Sequence, residues 1–153
     1  MRIFIGEYTH TIDEKGRIAV PSKMRDEKEK TWIVTKGLDR SLLVYPEAKW
    51  TEIISARIAT LNPMIAENRI FIRTFVSPAV EAEEDKVGRL YIPQNLLAYA
   101  EIEKEAVFLG AIYRIELFSI ANYREYEKNP EAYIDAKRGA YERITEKMKD
   151  IGL

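Results

Sequence analysis

Asp13-Glu14-Lys15-Gly16-Arg17-Ile18-Ala19-Val20-Pro21 returns later in the chain as Asp85-Lys86-Val87-Gly88-Arg89-Leu90-Tyr91-Ile92-Pro93. Asp, Gly, Arg and Pro recur at the same places, and Ile18 and Val20 are answered by Leu90 and Ile92. One Asp-x-x-Gly-Arg would say little, because acidic residues and glycines crowd into ordinary turns. Two copies, each followed by apolar-x-apolar-Pro, predict one structural unit used twice.

Each copy reads as a β-hairpin. Gly16 and Gly88 supply a position where positive φ meets no side-chain penalty, as a tight turn demands. Before the first glycine, Ile3 and Ile5 and then Tyr8, His10 and Ile12 alternate at period two; after it, Ile18 and Val20 share a face. The predicted tip therefore carries an acid, a glycine and an arginine: Asp13, Gly16 and Arg17 in one copy, Asp85, Gly88 and Arg89 in the other. Pro21 and Pro93 end the outgoing strands and suit the first residue of a short helix.

The chain of 153 residues is long enough for one medium domain or two small ones. Its 46% hydrophobic and 32% charged residues describe a soluble globular protein with a core. No apolar run approaches the roughly 20 residues that cross a bilayer. Met1-Arg2-Ile3-Phe4-Ile5-Gly6-Glu7 turns polar too early for a secretory signal, and the absence of cysteine excludes disulfides and thiolate chemistry. A cytoplasmic protein with no membrane partner is expected. The net charge of −1 leaves a nucleic-acid partner open, since a basic patch can hide in an even balance. Residues 2–25 carry five basic groups (Arg2, Lys15, Arg17, Lys23, Arg25) against three acids (Glu7, Asp13, Glu14). Residues 79–105 carry seven acids against Lys86, Arg89 and Lys104, so the first tip is the better electrostatic candidate for DNA.

Between the copies, Asp26 to Lys30 reads as a solvated connection, followed by strands at Trp32–Thr35 and Ser41–Tyr45 around the Lys36-Gly37-Leu38-Asp39 turn. From Pro46 the period becomes helical, with Trp50, Ile53, Ile54, Ile58 and Leu61 on one face. Asn62-Pro63 stops that helix and suits the start of another. Over residues 64–76 the run Arg69 to Val76 is rich in strand formers, while Ile65, Ile72 and Phe75/Val76 fit a helix, and a helix linking the repeats is the preferred reading of the two. After the second copy, Gln94-Asn95-Leu96-Leu97 answers Ser22 to Arg25, and strands at Ala106–Gly110 and Arg114–Phe118 answer the earlier pair. Ser119 is placed to cap a helix through Lys128, and Asn129-Pro130 to begin a last helix running to Asp150. Ile134, Tyr141 and Met148 share a seven-residue spacing there, as do Ile144 and Ile151; with Gly139 inside, so thin a seam predicts packing on its own chain ahead of a coiled coil.

Catalysis finds little support. His10 is the only histidine, and without cysteine the usual zinc and nucleophile–base sets cannot be assembled. The acids Glu81, Glu83 and Glu84 have no accompanying signature, and no Gly-rich phosphate loop is present. No catalytic residue, metal or cofactor is expected. An arginine at the end of a two-stranded ribbon can instead enter a major groove and bond guanine O6 and N7 together, while Lys15 and Lys86 reach phosphates. A purely structural reading, in which Asp13–Arg17 and Asp85–Arg89 only brace their turns, fits the spacing equally well. The aromatics Trp32, Tyr45, Trp50, Phe118 and Tyr123 sit at core-like positions and favour packing over base stacking.

Gly6-Glu7-Tyr8, the first Asp13 to Pro21 stretch, Gly37-Leu38-Asp39 with Leu42, Tyr45-Pro46 and Trp50, and the second Asp85 to Pro93 stretch together resemble the MraZ family over essentially the whole chain. The resemblance implies an α+β, mainly β fold: an AbrB/MazE/MraZ-like double-split, swapped-hairpin β-barrel formed by two tandem repeats with flanking helices. Residues 1–76 would form the first AbrB-like repeat with its helices, and residues 77–153 the second. Members are bacterial, nucleoid-associated transcriptional regulators that assemble into ring-shaped homo-oligomers. They bind G-rich direct repeats in double-stranded DNA upstream of the division and cell-wall gene cluster, typically repressing it. The family's Asp-x-x-x-Arg pattern falls on Asp13/Arg17 and Asp85/Arg89. It implies DNA contacts by Lys15 and Arg17, with Lys86 and Arg89 as the second set, supported by Asp13, Gly16, Asp85 and Gly88. No small-molecule substrate is implied. A ring-forming, antitoxin-like scaffold that binds protein in place of DNA is the alternative.

Overall fold

Ile18 and Leu90, the apolar centres of the two repeated stretches, face each other across a short antiparallel ribbon. The computed structural model describes residues 2–137 and 142–153, with side chains described outside 142–145. The ribbon joins β2 (Arg17–Ala19) to β6 (Arg89–Tyr91). A six-stranded sheet lies beneath it. That sheet contains β1 (Glu7–Thr11), β3 (Thr31–Lys36), β4 (Leu42–Pro46), β5 (Val80–Glu83), β7 (Glu105–Gly110) and β8 (Ile115–Ser119), in the order β1-β7-β8-β4-β3-β5. Its pairs are antiparallel, and most of them join one half of the chain to the other: β1 to β7, β3 to β5, β4 to β8.

The helices follow the strands in order. After β4 come α1 (Glu47–Ile53) and α2 (Ala66–Phe71); after β6 comes α3 (Gln94–Tyr99); after β8 come α4 (Ile120–Lys128), α5 (Pro130–Lys137) and α6 (Glu142–Asp150). Each of α1 and α2 continues into a π-helical turn, Ile54–Ile58 and Ile72–Val76, closed by Ala59 N–H donating to the Ile54 carbonyl and Ser77 N–H to that of Ile72.

Two hydrophobic layers explain this order. The alternation along β4 sends Leu42 and Val44 toward the ribbon, where they pack with Ile12, Ile18, Val20, Met24, Trp32, Leu90, Ile92, Leu96 and Phe108. Leu43 and Tyr45 point the other way, against Ile53, Ile58, Phe71, Phe75 and Met148 of the helical layer. Both faces of β4 are thus covered, which is why Leu42-Leu43-Val44-Tyr45 carries no polar break. Burying such a side chain contributes roughly 1.5–3 kcal/mol. The ribbon is therefore held down mainly by Ile18, Val20, Leu90 and Ile92, each about 1% exposed.

Several expectations are corrected here. The predicted hairpins close only at their tips: Ile12 bridges Ile18 and Asp13 N–H donates to the Arg17 carbonyl at 2.9 Å, but beyond these β1 leaves for β7 and β2 for β6. The strands form an open sheet with a separate ribbon, and no closed barrel is seen among the described residues. Pro21 and Pro93 stand just ahead of their helical turns, in extended conformation, instead of occupying the first helical position. Asn62 accepts from Met64 N–H, while α2 itself starts after Ile65. Elsewhere the reading holds. Ser119 caps α4 through Asn122 N–H at 3.0 Å, and the face of Trp50, Ile53, Ile54, Ile58 and Leu61 packs in the helical layer. Of the expected helix from Pro130 to Asp150, α5 and α6 are present; Gly139 and Tyr141 lie outside the described residues, as does the Ile144 side chain.

Candidate nucleic-acid interface

Both tips are built by one carboxylate. In the first, Asp13 Oδ1 accepts from the Lys15 and Arg17 amides at 2.9 Å each, and Oδ2 accepts from Arg17 Nε at 2.8 Å. Gly16 N–H closes the turn onto the Asp13 carbonyl at 3.0 Å, with Gly16 at φ +82°. The second tip repeats this: Asp85 Oδ1 accepts from Val87 and Arg89 amides at 3.0 and 2.9 Å, Oδ2 from Arg89 Nε at 2.8 Å, and Gly88 sits at φ +83°. The Arg17 amide is the largest influence holding the Asp13 carboxyl below the usual carboxylate range, and the Arg89 amide does the same for Asp85. The aspartates thus brace their turns and also fix the root of each guanidinium.

Fixing Nε leaves the outer edge of the guanidinium for something else. Arg17 and Arg89 side chains are 34% and 35% exposed, at the ends of the ribbon face opposite the core. Facing pairs in an antiparallel ladder share a side, so Arg17, Ala19, Arg89 and Tyr91 all look outward while Ile18 and Leu90 look in. No Nη hydrogen bond of Arg17 is found among the described residues. Arg89 differs, because its Nη1 comes within 3.8 Å of Asp13 Oδ2 on the other tip. Lys15 and Lys86 are exposed and in no ion pair among the described residues.

The geometry separates residues that the repeat had equated. Counting from the aspartates, Lys15 occupies the place of Val87, and Lys86 the place of Glu14. Two further residues join the tips without having been singled out. Arg25 crosses between repeats, its Nη1 donating to the Val87 carbonyl at 3.5 Å and its guanidinium lying where a Cβ on Gly88 would point. Tyr91, 56% exposed, lies with its ring near Gly16. The excess of basic groups near the N-terminus was the available signal for Arg25. His10 braces the same region: its Nδ1 lies 2.7 Å from the Ala19 carbonyl and must donate to it, tying β1 to β2.

A doubled tip that presents arginines from one ribbon face, on a frame whose halves exchange strands, defines a tandem-repeat β-ribbon protein. Residues 3–73 and 75–145 each match the family described as "MraZ protein, putative antitoxin-like". The chain belongs to the MraZ family. It is 43% identical over 151 residues to the Transcriptional regulator MraZ of Clostridium tetani, covering 99% of this chain and 100% of that one. The proteins of the same name from Halothermothrix orenii and Carboxydothermus hydrogenoformans are 41% and 40% identical, over 99% and 97% of this chain and 100% and 98% of their own lengths.

Proposed function

We propose that this chain is a sequence-specific DNA-binding transcriptional regulator whose reading surface is the outward face of the β2–β6 ribbon. The observation that carries the proposal is the anchored arginine: Nε is held by a carboxylate, the side chain is 34% exposed, and its Nη atoms make no hydrogen bond among the described residues, the form in which a guanidinium can pair with guanine O6 and N7. Lys15 and Lys86 supply phosphate contacts that strengthen binding without reading bases. The name shared by the relatives supports the regulatory role. The family resemblance extends it to G-rich direct repeats upstream of the chain's own gene, in the division and cell-wall cluster, with repression as the outcome and a nucleoid location. Residues 1–76 and 77–153 act as the two repeats of this regulator. A ring-shaped homo-oligomer would engage several repeats at once, each contact adding through effective concentration.

Gel-shift titration with the upstream DNA tests the proposal. Arg17→Ala should weaken binding by about ten- to a hundredfold, as expected for one guanine pairing, and Lys15→Ala should weaken it while flattening the salt dependence. The antitoxin-like scaffold predicts instead that neither wild type nor variant retards the DNA.

A further inference from the structure

On the helical side of the sheet, away from the ribbon, a cleft of about 300 Å³ opens between α1 with its π-helical turn, the β7–β8 turn and the end of α6. Lys49 and Arg57 line it from the first repeat and Arg114 from the second, and no acidic side chain lines it among the described residues. Arg114 is half-buried, and its Nη1 donates to the Tyr45 hydroxyl at 3.1 Å, a neutral partner. Arg57 Nη1 donates to the carbonyls of Ile151 and Gly152 at 2.9 and 3.3 Å, which are likewise uncharged. Neither arginine is in an ion pair among the described residues. Lys49 has a carboxylate, Glu52 at 3.3 Å, that stands outside the cleft lining, and its ammonium lies 4.8 Å from the centre of the Tyr113 ring. Three like charges around one cavity repel one another, and a half-buried cation without a counter-charge is costly to hold. An anion seated among them offsets both costs.

The rim of the cleft is built at a cost to the backbone. Tyr113 N–H donates to the Ala111 carbonyl at 3.0 Å around Ile112 at φ +70°, a γ-turn of the rare, strained hand. Hairpin connections with positive φ favour Gly, Asn or Asp, and a β-branched residue there is an outlier. Bonds on either side hold it in place: Phe4 N–H to the Ile112 carbonyl at 2.7 Å, Ile112 N–H to that of Phe4 at 3.1 Å, and Ala111 N–H to that of Arg114 at 2.9 Å. What this backbone secures is an apolar side chain, 56% exposed, at the cleft beside Tyr113. Buried Ile53 and half-buried Leu153 supply the rest of the apolar wall. Strain kept at an exposed rim, where no core packing calls for it, is characteristic of a ligand clamp.

We propose that this cleft binds a small amphipathic anion, one carboxylate or phosphate group carried on an apolar body. The head pairs with the guanidinium groups of Arg57 and Arg114, with the Lys49 ammonium adding charge. The apolar body lies against Ile53, Ile112, Tyr113 and Leu153. The volume stands at the low end for ligand pockets, which suits an acyl chain of medium length better than a nucleotide or a peptide. Once bound, the anion ties the α1 segment of the first repeat to the β7–β8 turn of the second. The site is separate from the ribbon and does not depend on what the ribbon binds.

NMR titration of the full chain with decanoate and with decyl phosphate, both below their micelle concentrations, tests this. Amide and methyl shifts should gather at Ile53, Ile112, Tyr113 and Arg114, and the tighter of the two anions identifies the head group. Decanol and acetate, the chain and the head by themselves, should each bind about tenfold more weakly or worse. The double variant Lys49→Gln, Arg57→Gln should weaken decanoate by about tenfold or more. Saturating decanoate should raise the thermal midpoint of wild type and leave that of the double variant unmoved. Ile112→Gly should also weaken binding, yet melt no lower than wild type, because glycine relieves the turn. Decanol binding as well as decanoate, shifts scattered over the surface, or a double variant that binds as wild type overturns the proposal. An Ile112→Gly protein that binds at full strength, or melts well below wild type, overturns the part given to the strained rim. None of these readouts involves DNA, so they succeed or fail independently of the regulatory reading.

Discussion

Replacing Gly16 by alanine, with Gly88→Ala beside it, isolates the physics of the ribbon. Both glycines sit at nearly the same φ, +82° and +83°, so both substitutions meet the same left-handed penalty of about 1–2 kcal/mol. Their surroundings differ. A Cβ on Gly16 would lie 3.0 Å from the Ile92 carbonyl oxygen, a backbone atom of the opposite strand. Relief means opening the ribbon where Ile92 N–H donates to the Gly16 carbonyl at 2.8 Å, and weakening that bond adds about 1 kcal/mol. A Cβ on Gly88 would meet the Arg25 guanidinium, the end of a flexible chain that swings aside. The expected losses are about 2–3 kcal/mol for Gly16→Ala and about 1–2 kcal/mol for Gly88→Ala. Urea denaturation at one fixed protein concentration measures both, since self-association would otherwise shift the midpoints. Equal losses, or a larger one for Gly88→Ala, would refute the claim that the Gly16–Ile92 approach is the tighter constraint.

Acid should loosen both tips. The carboxyls of Asp13 and Asp85 titrate lower in the folded chain than unfolded, so their stabilisation is complete above the unfolded value of about 4 and fades as pH falls through the folded one. Thermal melts of Asp13→Asn should accordingly show a shallower loss of stability on the acid side than wild type, and an unchanged acid slope would count against the bracing. Deeper in the fold, Tyr99→Phe removes the hydroxyl that donates to the Gly37 carbonyl at 2.6 Å and leaves that buried acceptor without this donor. A cost of about 1–3 kcal/mol is expected in equilibrium unfolding, and a variant as stable as wild type would contradict it.

The doubled Asp-x-x-Gly-Arg made the tips legible, because the turn chemistry is entirely local: one carboxylate, two amides and a glycine within five consecutive positions fix it. Strand pairing was not legible. Tyr8, His10 and Ile12 alternate just as a hairpin arm would, yet Glu7 lies opposite Leu109. Period two states which side is buried and says nothing of which strand lies alongside. The helix at 47–58 followed from spacing, and the one at 66–76 competed with a strand reading because Ile70 to Val76 is rich in β-formers. The π-helical turns of both were not legible, since a single extra residue in a turn barely disturbs an apolar stripe. At the site, the arginines came from the repeat. Arg25 and Tyr91 matter through contacts across repeats that no local window contains. Counted from the aspartates, Lys86 stands one place before the position of Lys15, which Val87 holds in the second tip.

The exchange of strands between halves also sets a timetable for synthesis. When β1 leaves the ribosome it has no ladder to join, because β7 is near the other end of the message. Its neighbour β2 likewise waits for β6, whereas β4 finds β3 within its own half and lacks β8 only along its other edge. The nascent chain must therefore carry Ile12, Ile18 and Val20 uncovered through much of translation, and the core that buries them can condense only once the second repeat emerges. A late stall or truncation would release a polypeptide with unpaired edges and a half-made interior, prone to aggregation and fit for proteolysis.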